Sequence, residues 1–251
     1  MSGPEVLRVE TDSAAGLAFT TRREGVSTGG FASLNLGAST GDTAAAVRDN
    51  RLAVCEHLGI PADRVSMCRQ IHGARVHEVA RPLRRGRFAG GLVGWPHGDA
   101  LVARAGALPL AVLGADCLPI LMWRRDEPGV AATHAGWRGL VGGVVEATVE
   151  ALGQPAHVGV AIGPGIGPAR YEVSQELADR FAARFGARVV RKRHVDLAGA
   201  ARLALMGSGV PTAHIQTIDA CTYDEPDRWF SHRRDGPGCG RQAGLIWLED
   251  A

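Results

Sequence analysis

Two hydrophobic rhythms alternate along the chain: unbroken apolar runs of strand length, and apolar positions recurring at helical spacing. The centre is the most apolar part. Residues 108–114 and 118–123 are continuous runs, the pattern of strands buried on both faces, and they flank Ala115-Asp116-Cys117. Residues 130–133 form a shorter run. After it Leu140, Val141, Val144, Val145, Thr148, Val149 and Leu152 recur at helical spacing, with Gly153 as the stop. Residues 158–162 return as a strand, and 174–185 read as a helix closed by Gly186. Further on, 196–206 read as a helix, with 214–218 and 244–248 as strands. On the N-terminal side, 18–22 read as a strand followed by a Gly/Ser-rich loop to Gly41. Asp42 is placed to cap a helix carrying Val47, Val54, Cys55 and Leu58, with Gly59 ending it. Residues 65–71 and 75–79 read as extended pieces bent at His72-Gly73. No repeat, low-complexity tract or linker interrupts this order. The expectation is one mixed α/β domain spanning 1–251.

Composition narrows the classes of partner. With 45% hydrophobic and 22% charged residues, the balance supports a sizeable core. Aromatics at 5% are too few for a stacking platform, and a net charge of +2 gives no electrostatic footprint for nucleic acid. Two basic runs, 81–87 and 188–194, read as a solvated loop and a solvated helix-to-strand connection. Cys55, Cys68, Cys117, Cys221 and Cys239 are odd in number and contain no CxxC pair, so no disulfide framework is expected. The first residues lack a basic and apolar leader, and the longest apolar stretch, 107–123, carries Asp116 and two prolines. A cytoplasmic protein without membrane partner is expected.

Three segments place a ligating or nucleophilic side chain where a strand meets a turn: Gln70-Ile71-His72-Gly73, Ala115-Asp116-Cys117-Leu118 and His134-Ala135-Gly136-Trp137-Arg138-Gly139. Strand ends are where sites gather in α/β folds. Two imidazoles and a thiolate suit Zn²⁺ with one open position; the same trio also suits a Cys nucleophile activated by His. Spacing alone leaves both open. His57, His77, His97, His157 and His214 read as surface or packing residues, and Cys55 as part of an apolar helix face. The Arg-rich stretch Phe230-Ser231-His232-Arg233-Arg234-Asp235-Gly236 suits phosphate or carboxylate, because a guanidinium can bond two oxygens at once; its bland reading is an exposed basic loop. Gly238-Cys239-Gly240-Arg241-Gln242-Ala243 matches GxGxxA, but too little chain follows for a βαβ unit. Walker A, HExxH, GxSxG and the cytidine-type deaminase pattern are absent.

In this order the segments resemble the YfiH family, also called the polyphenol oxidase or purine nucleoside phosphorylase family of laccase-domain proteins. The blocks that carry the resemblance include Ser33-Leu34-Asn35-Leu36-Gly37, Asn50-Arg51, Asp99-Ala100-Leu101 and Ala115-Asp116-Cys117-Leu118-Pro119-Ile120. They continue with His134-Ala135-Gly136-Trp137-Arg138-Gly139, Tyr171-Glu172-Val173, Cys221-Thr222-Tyr223 and the 230–236 stretch. Glu24 departs from the family pattern, which has Gly there, and the 237–239 loop is slightly longer. The resemblance implies layered mixed β-sheets flanked by helices, related to bacterial cytotoxic-necrotizing-factor deamidases. It also implies that His72, Cys117 and His134 are zinc ligands at the catalytic centre. The implied reactions are phosphorolysis of adenosine, inosine, guanosine and methylthioadenosine, and deamination of adenosine. Purine nucleosides and phosphate are then the partners. Within that chemistry Arg51 and Arg234 are candidates for phosphate and Asn35 for the nucleoside.

Two other functions compete. Copper oxidation of phenols needs a blue-copper site and many further His ligands, which nine histidines without a His-x-His pair do not readily supply, though copper could occupy the same three residues. A Cys117–His134 amidohydrolase is the third reading.

Overall fold

In the computed structural model, which describes residues 3–82, 88–89, 95–104 and 108–249, the apolar runs pair into two main sheets. The first is four-stranded and antiparallel, in the order β1 (Val6–Arg8), β2 (Ala15–Thr20), β12 (Gln242–Leu248), β5 (Leu110–Gly114). The second is six-stranded and mixed, in the order β11 (Ile215–Thr217), β8 (Val158–Ile162), β6 (Leu118–Arg124), β7 (Val130–Ala135), β4 (Ala100–Ala103), β3 (Val76–Glu78). Its outer pairs, β11 with β8 and β3 with β4, are parallel, and its inner pairs antiparallel.

Alternation along each strand builds the layers. On β6, Leu118, Ile120 and Met122 face one way, and Leu121 and Trp123 the other. The first set packs under α2 (Trp137–Gly142), α3 (Val144–Leu152), α4 (Gln175–Phe185) and α5 (Leu197–Gly207). The second set meets Leu17, Phe19, Leu110, Val112 and Ile246 of the smaller sheet. The opposite face of that sheet, with Ala18, Ala111, Leu245 and Trp247, is covered by Val54, Cys55 and Leu58 of α1 (Ala44–Leu58). The order is therefore helix, sheet, sheet, helices, and strands enclosed on both sides carry no polar alternation. Among the described residues no helix is long and apolar enough to cross a membrane.

Several boundaries differ from the pattern. Thr43, not Asp42, caps α1, its hydroxyl accepting from the Ala46 amide at 3.2 Å. The Asp42 carboxylate instead receives Ser27 Oγ and the Asn35 amide. The helical run after residue 136 is broken: Gly143, at φ 86°, ends α2 and starts α3. Of the two extended pieces around His72, only β3 is a strand; Ser66 and Arg69 make isolated bridges to Leu110 and His97. The run 188–194 forms not a helix-to-strand connection but a hairpin, β9 (Val190–Arg191) with β10 (His194–Val195). Arg188, Arg191 and Arg193 on it are exposed, and most of the 81–87 run lies outside the described residues. A short helix α6 (His232–Asp235) precedes β12.

Candidate metal centre

His72, Cys117 and His134 converge, with ligand atoms all within 4.8 Å of one another. Each arrives by a different route. Cys117 ends the three-residue step from β5 in one sheet to β6 in the other, and Asp116 makes that step at φ 88°. The Asp116 side chain anchors the bend, accepting from Thr222 Oγ1 at 2.7 Å and from the Arg233 amide at 2.6 Å. Its carbonyl accepts from the Ile166 amide. His134 lies near the end of β7, which runs on to Ala135 instead of stopping at Thr133. His72 sits in the loop before β3 at φ 59°, a left-handed conformation uncommon for a non-glycine residue. Gln70 fixes that loop against β5: its amide donates to the Leu113 carbonyl and its oxygen accepts from the Leu113 amide, both at 2.8 Å.

Asp99, fully buried just before β4, connects the two histidines. Its carboxylate accepts from the backbone amides of Ile71, His72 and Gly73 and from His134 Nδ1 at 3.0 Å. The imidazoles meet edge to face with centroids 4.8 Å apart. Gly136 leaves the thiol room: a Cβ there would stand 2.7 Å from Cys117 Sγ and 3.3 Å from His72 Cδ2.

Electrostatics pair a Cys117 thiolate with a His134 cation, and an ion bound here would take the place of the proton on His134. Burial alone would push the Cys117 thiol up, but the charge and hydrogen bond of His134, with the help of His72, bring it down to about 6. Burial opposes the His134 cation, yet the Cys117 thiolate and the Asp99 carboxylate outweigh it and raise His134 to about 9. Burial likewise opposes the Asp99 charge, while His134 and the amides of Gly73 and His72 hold that carboxyl below the usual range.

The donor set fits a tetrahedral ion. Zinc bonds of about 2.0–2.3 Å put ligand atoms roughly 3.5 Å apart, which small side-chain rotations reach from the observed spacing. The bond from Asp99 to His134 Nδ1 leaves Nε2 for an ion, the usual support of a ligating imidazole.

The other candidate residues do not join this cluster. Asn35 is fully buried and organises its own loop, donating to Thr40 Oγ1 and Asp42 Oδ2 while accepting from the Gly37 and Arg241 amides. Arg51 is 1% exposed, donates to the carbonyls of Leu36 and Phe88, and lies over the rings of Phe88 and Trp95. Arg234 spends its donors on the carbonyls of Thr222, Tyr223 and Trp229 and on the Asp235 carboxylate. Asn35 and Arg234 spend their side-chain donors on the protein, and Arg51 is buried with a bond from each of its three nitrogens to a carbonyl.

Beside the cluster stand Tyr171 and Arg138, named from the sequence only as members of the family blocks. Tyr171 is half-buried, lies under the Arg233 guanidinium at 5.0 Å, and feels the charges of Cys117, Asp116 and Arg138. Burial, then the Cys117 charge, push its hydroxyl up to about 12. Arg138 is exposed and stacks on Trp137 at 4.3 Å; among the described residues its guanidinium has no hydrogen bond or ion pair.

The fold and the cluster together define an α/β protein with a three-ligand, metal-competent His-Cys-His centre. The chain belongs to the family described as multi-copper polyphenol oxidoreductase laccase, the YfiH family, whose model matches residues 16–249. It is 39% identical over 242 residues to a purine nucleoside phosphorylase of Pseudomonas aeruginosa, covering 92% of each chain. It is 34% identical over 247 residues to the purine nucleoside phosphorylase YlmD of Geobacillus stearothermophilus, covering 93% of this chain and 89% of that one. The crystal structure of that YlmD superposes with a TM-score of 0.91 at 32% identity, over 100% of this chain and 98% of the other. The Bacillus licheniformis hypothetical protein YfiH gives a TM-score of 0.91 at 27% identity, over 99% and 98% of the two chains.

Proposed function

We propose that the protein is a zinc-dependent purine nucleoside phosphorylase that acts on adenosine, inosine, guanosine and methylthioadenosine and also deaminates adenosine. The observation that carries this reading is the gathering of His72, Cys117 and His134, with Asp99 behind them, in a chain whose relatives bear the name purine nucleoside phosphorylase. Zinc in this set would supply Lewis acidity and an activated water at its open position.

The chain's own residues account for the remaining demands. Phosphorolysis needs an oxyanion held near the anomeric carbon and a proton donor toward the leaving base. Arg138 takes the phosphate in this reading, in place of Arg51 and Arg234, because its fork is uncommitted beside the ligand turn. Tyr171, kept protonated, offers its hydroxyl as a donor at the rim. Ile71 is 47% exposed next to His72 and gives the base an apolar surface.

Zinc is favoured over multicopper chemistry by the ligand inventory. Of nine histidines only His72 and His134 belong to a metal-competent group among the described residues, whereas a multicopper oxidase requires several such groups.

The test compares sugar-phosphate release from inosine with ammonia release from adenosine, each with and without phosphate. Arg138→Ala is expected to raise the KM for phosphate about tenfold or more, the loss of one charge-assisted contact, while ammonia release persists. Arg234→Ala is expected to lower thermal stability, with no selective change in the phosphate KM. Cleavage that ignores phosphate would rule out phosphorolysis.

A further inference from the structure

We propose that Asp99 is the positioning residue of the metal centre, one carboxylate that presets both imidazole ligands before an ion arrives. The inference rests on the reading of His72, Cys117 and His134 as metal ligands, and extends it to a residue outside the set.

The geometry is unusually concentrated. Asp99 Oδ1 receives the His72 amide at 2.8 Å and His134 Nδ1 at 3.0 Å, so a single oxygen bonds the main chain of one ligand and the ring of the other. Oδ2 receives the Gly73 amide at 2.7 Å, and the Ile71 amide points at both oxygens from 3.2 and 3.3 Å. Consecutive amides converging on one anion form an anion-binding concavity, and they hold His72 in its left-handed conformation. That conformation is uncommon for a non-glycine residue and persists where the surroundings over-determine it.

The second grip comes from the sheet. Ala100 pairs with Thr133, which places Asp99 across from His134, and the His134 amide donates to the Asp99 carbonyl at 2.7 Å. His134 is therefore tied to Asp99 through both main chain and side chain. With Nδ1–H donating to the carboxylate, the neutral ring presents Nε2 as the lone pair, and neither a flipped ring nor the other tautomer keeps that bond. Gly98 makes the approach possible, since a Cβ there would stand 2.9 Å from the Arg75 carbonyl and 2.7 Å from the His77 ring.

Asp99→Asn separates positioning from simple packing. The side chain keeps its volume but has one acceptor oxygen and one NH2 group, so it must turn a donor toward either the loop amides or His134 Nδ1. Zinc affinity of the full-length variant, measured by competition with a chromogenic chelator, is expected to fall about 10- to 100-fold, the usual effect of losing a carboxylate behind a ligating histidine. A packing role alone would lower the melting temperature of the chelator-treated protein and leave zinc affinity unchanged; that result overturns the proposal. Nitrogen NMR of histidine-labelled, zinc-loaded wild-type protein tests it without relying on the variant's folding. His134 is expected to carry a slowly exchanging proton on Nδ1 and to bind through Nε2, and binding through Nδ1 overturns the proposal. Neither readout involves nucleosides. A protein that binds zinc in this way but cleaves no nucleoside removes the proposed function and leaves the role of Asp99 in place.

Discussion

Cys117 is one of five cysteines, and its surroundings set it apart from the rest. Burial raises Cys55 and Cys68 to about 12, whereas the imidazoles bring Cys117 down to about 6 against the same opposing effect. The thiolate is the nucleophilic form, so in chelator-treated protein alkylation of Cys117 should be near its plateau at neutral pH. A lowered folded-state value means the thiolate is lost only as pH falls through about 6, so the rate should drop there. An inflection near 9, the ordinary thiol value, would show that the imidazoles do not act on it. At this scale the three residues that gather were named from the sequence, by their places where strands meet turns and by the family blocks that contain them. Their supports were not. Asp99 looks like any acid before a short apolar run, and only its four bonded neighbours give it a role. Asn35, Arg51 and Arg234 show the converse: each polar residue in its motif is bonded to the protein itself, a role that a sequence block does not distinguish from binding a ligand. Glu24, where the family pattern has Gly, adopts φ 63°, so the departure keeps the backbone shape that glycine would supply.

The turn from β7 into α2 shows how an element serves the site. Gly136 has φ −84°, which any residue adopts, so alanine there tests space and not backbone strain. Its Cβ would lie 2.7 Å from the sulfur, and Gly136→Ala is expected to fold but to bind zinc at least tenfold more weakly. Gly142→Ala is the control: its Cβ meets only Ala74 at 3.7 Å, and it should keep full zinc binding. Equal affinity in both variants would mean that the close approach of Gly136 does not matter. Most of the longer strands and helices were legible from their apolar runs, with ends moved by up to three residues. The break at Gly143 was not, because Leu140, Val144 and Val145 stay apolar through it and both helices bury the same face. Strand β4 escaped notice because its four residues, all buried, make too short a run to stand out.

For the molecule as a whole, the site exists because consecutive strands leave one sheet for the other. β5 belongs to the four-stranded sheet and β6 to the six-stranded one, so the step between them carries Cys117 to the junction of the two. There it meets His134 from β7 and His72 from the loop pinned to β5 by Gln70. An unbroken apolar run records that a strand is buried on both faces but not which sheet covers it, so this crossing could not be read from the sequence. The central claim is that this junction is a single zinc centre. Elemental analysis of protein purified without added metal tests it most directly, on the wild type, Cys117→Ala and Cys55→Ala. About one zinc per chain is expected in the wild type and in Cys55→Ala, and none in Cys117→Ala. Stoichiometric copper without zinc in the wild type, or full zinc retained by Cys117→Ala, would contradict it.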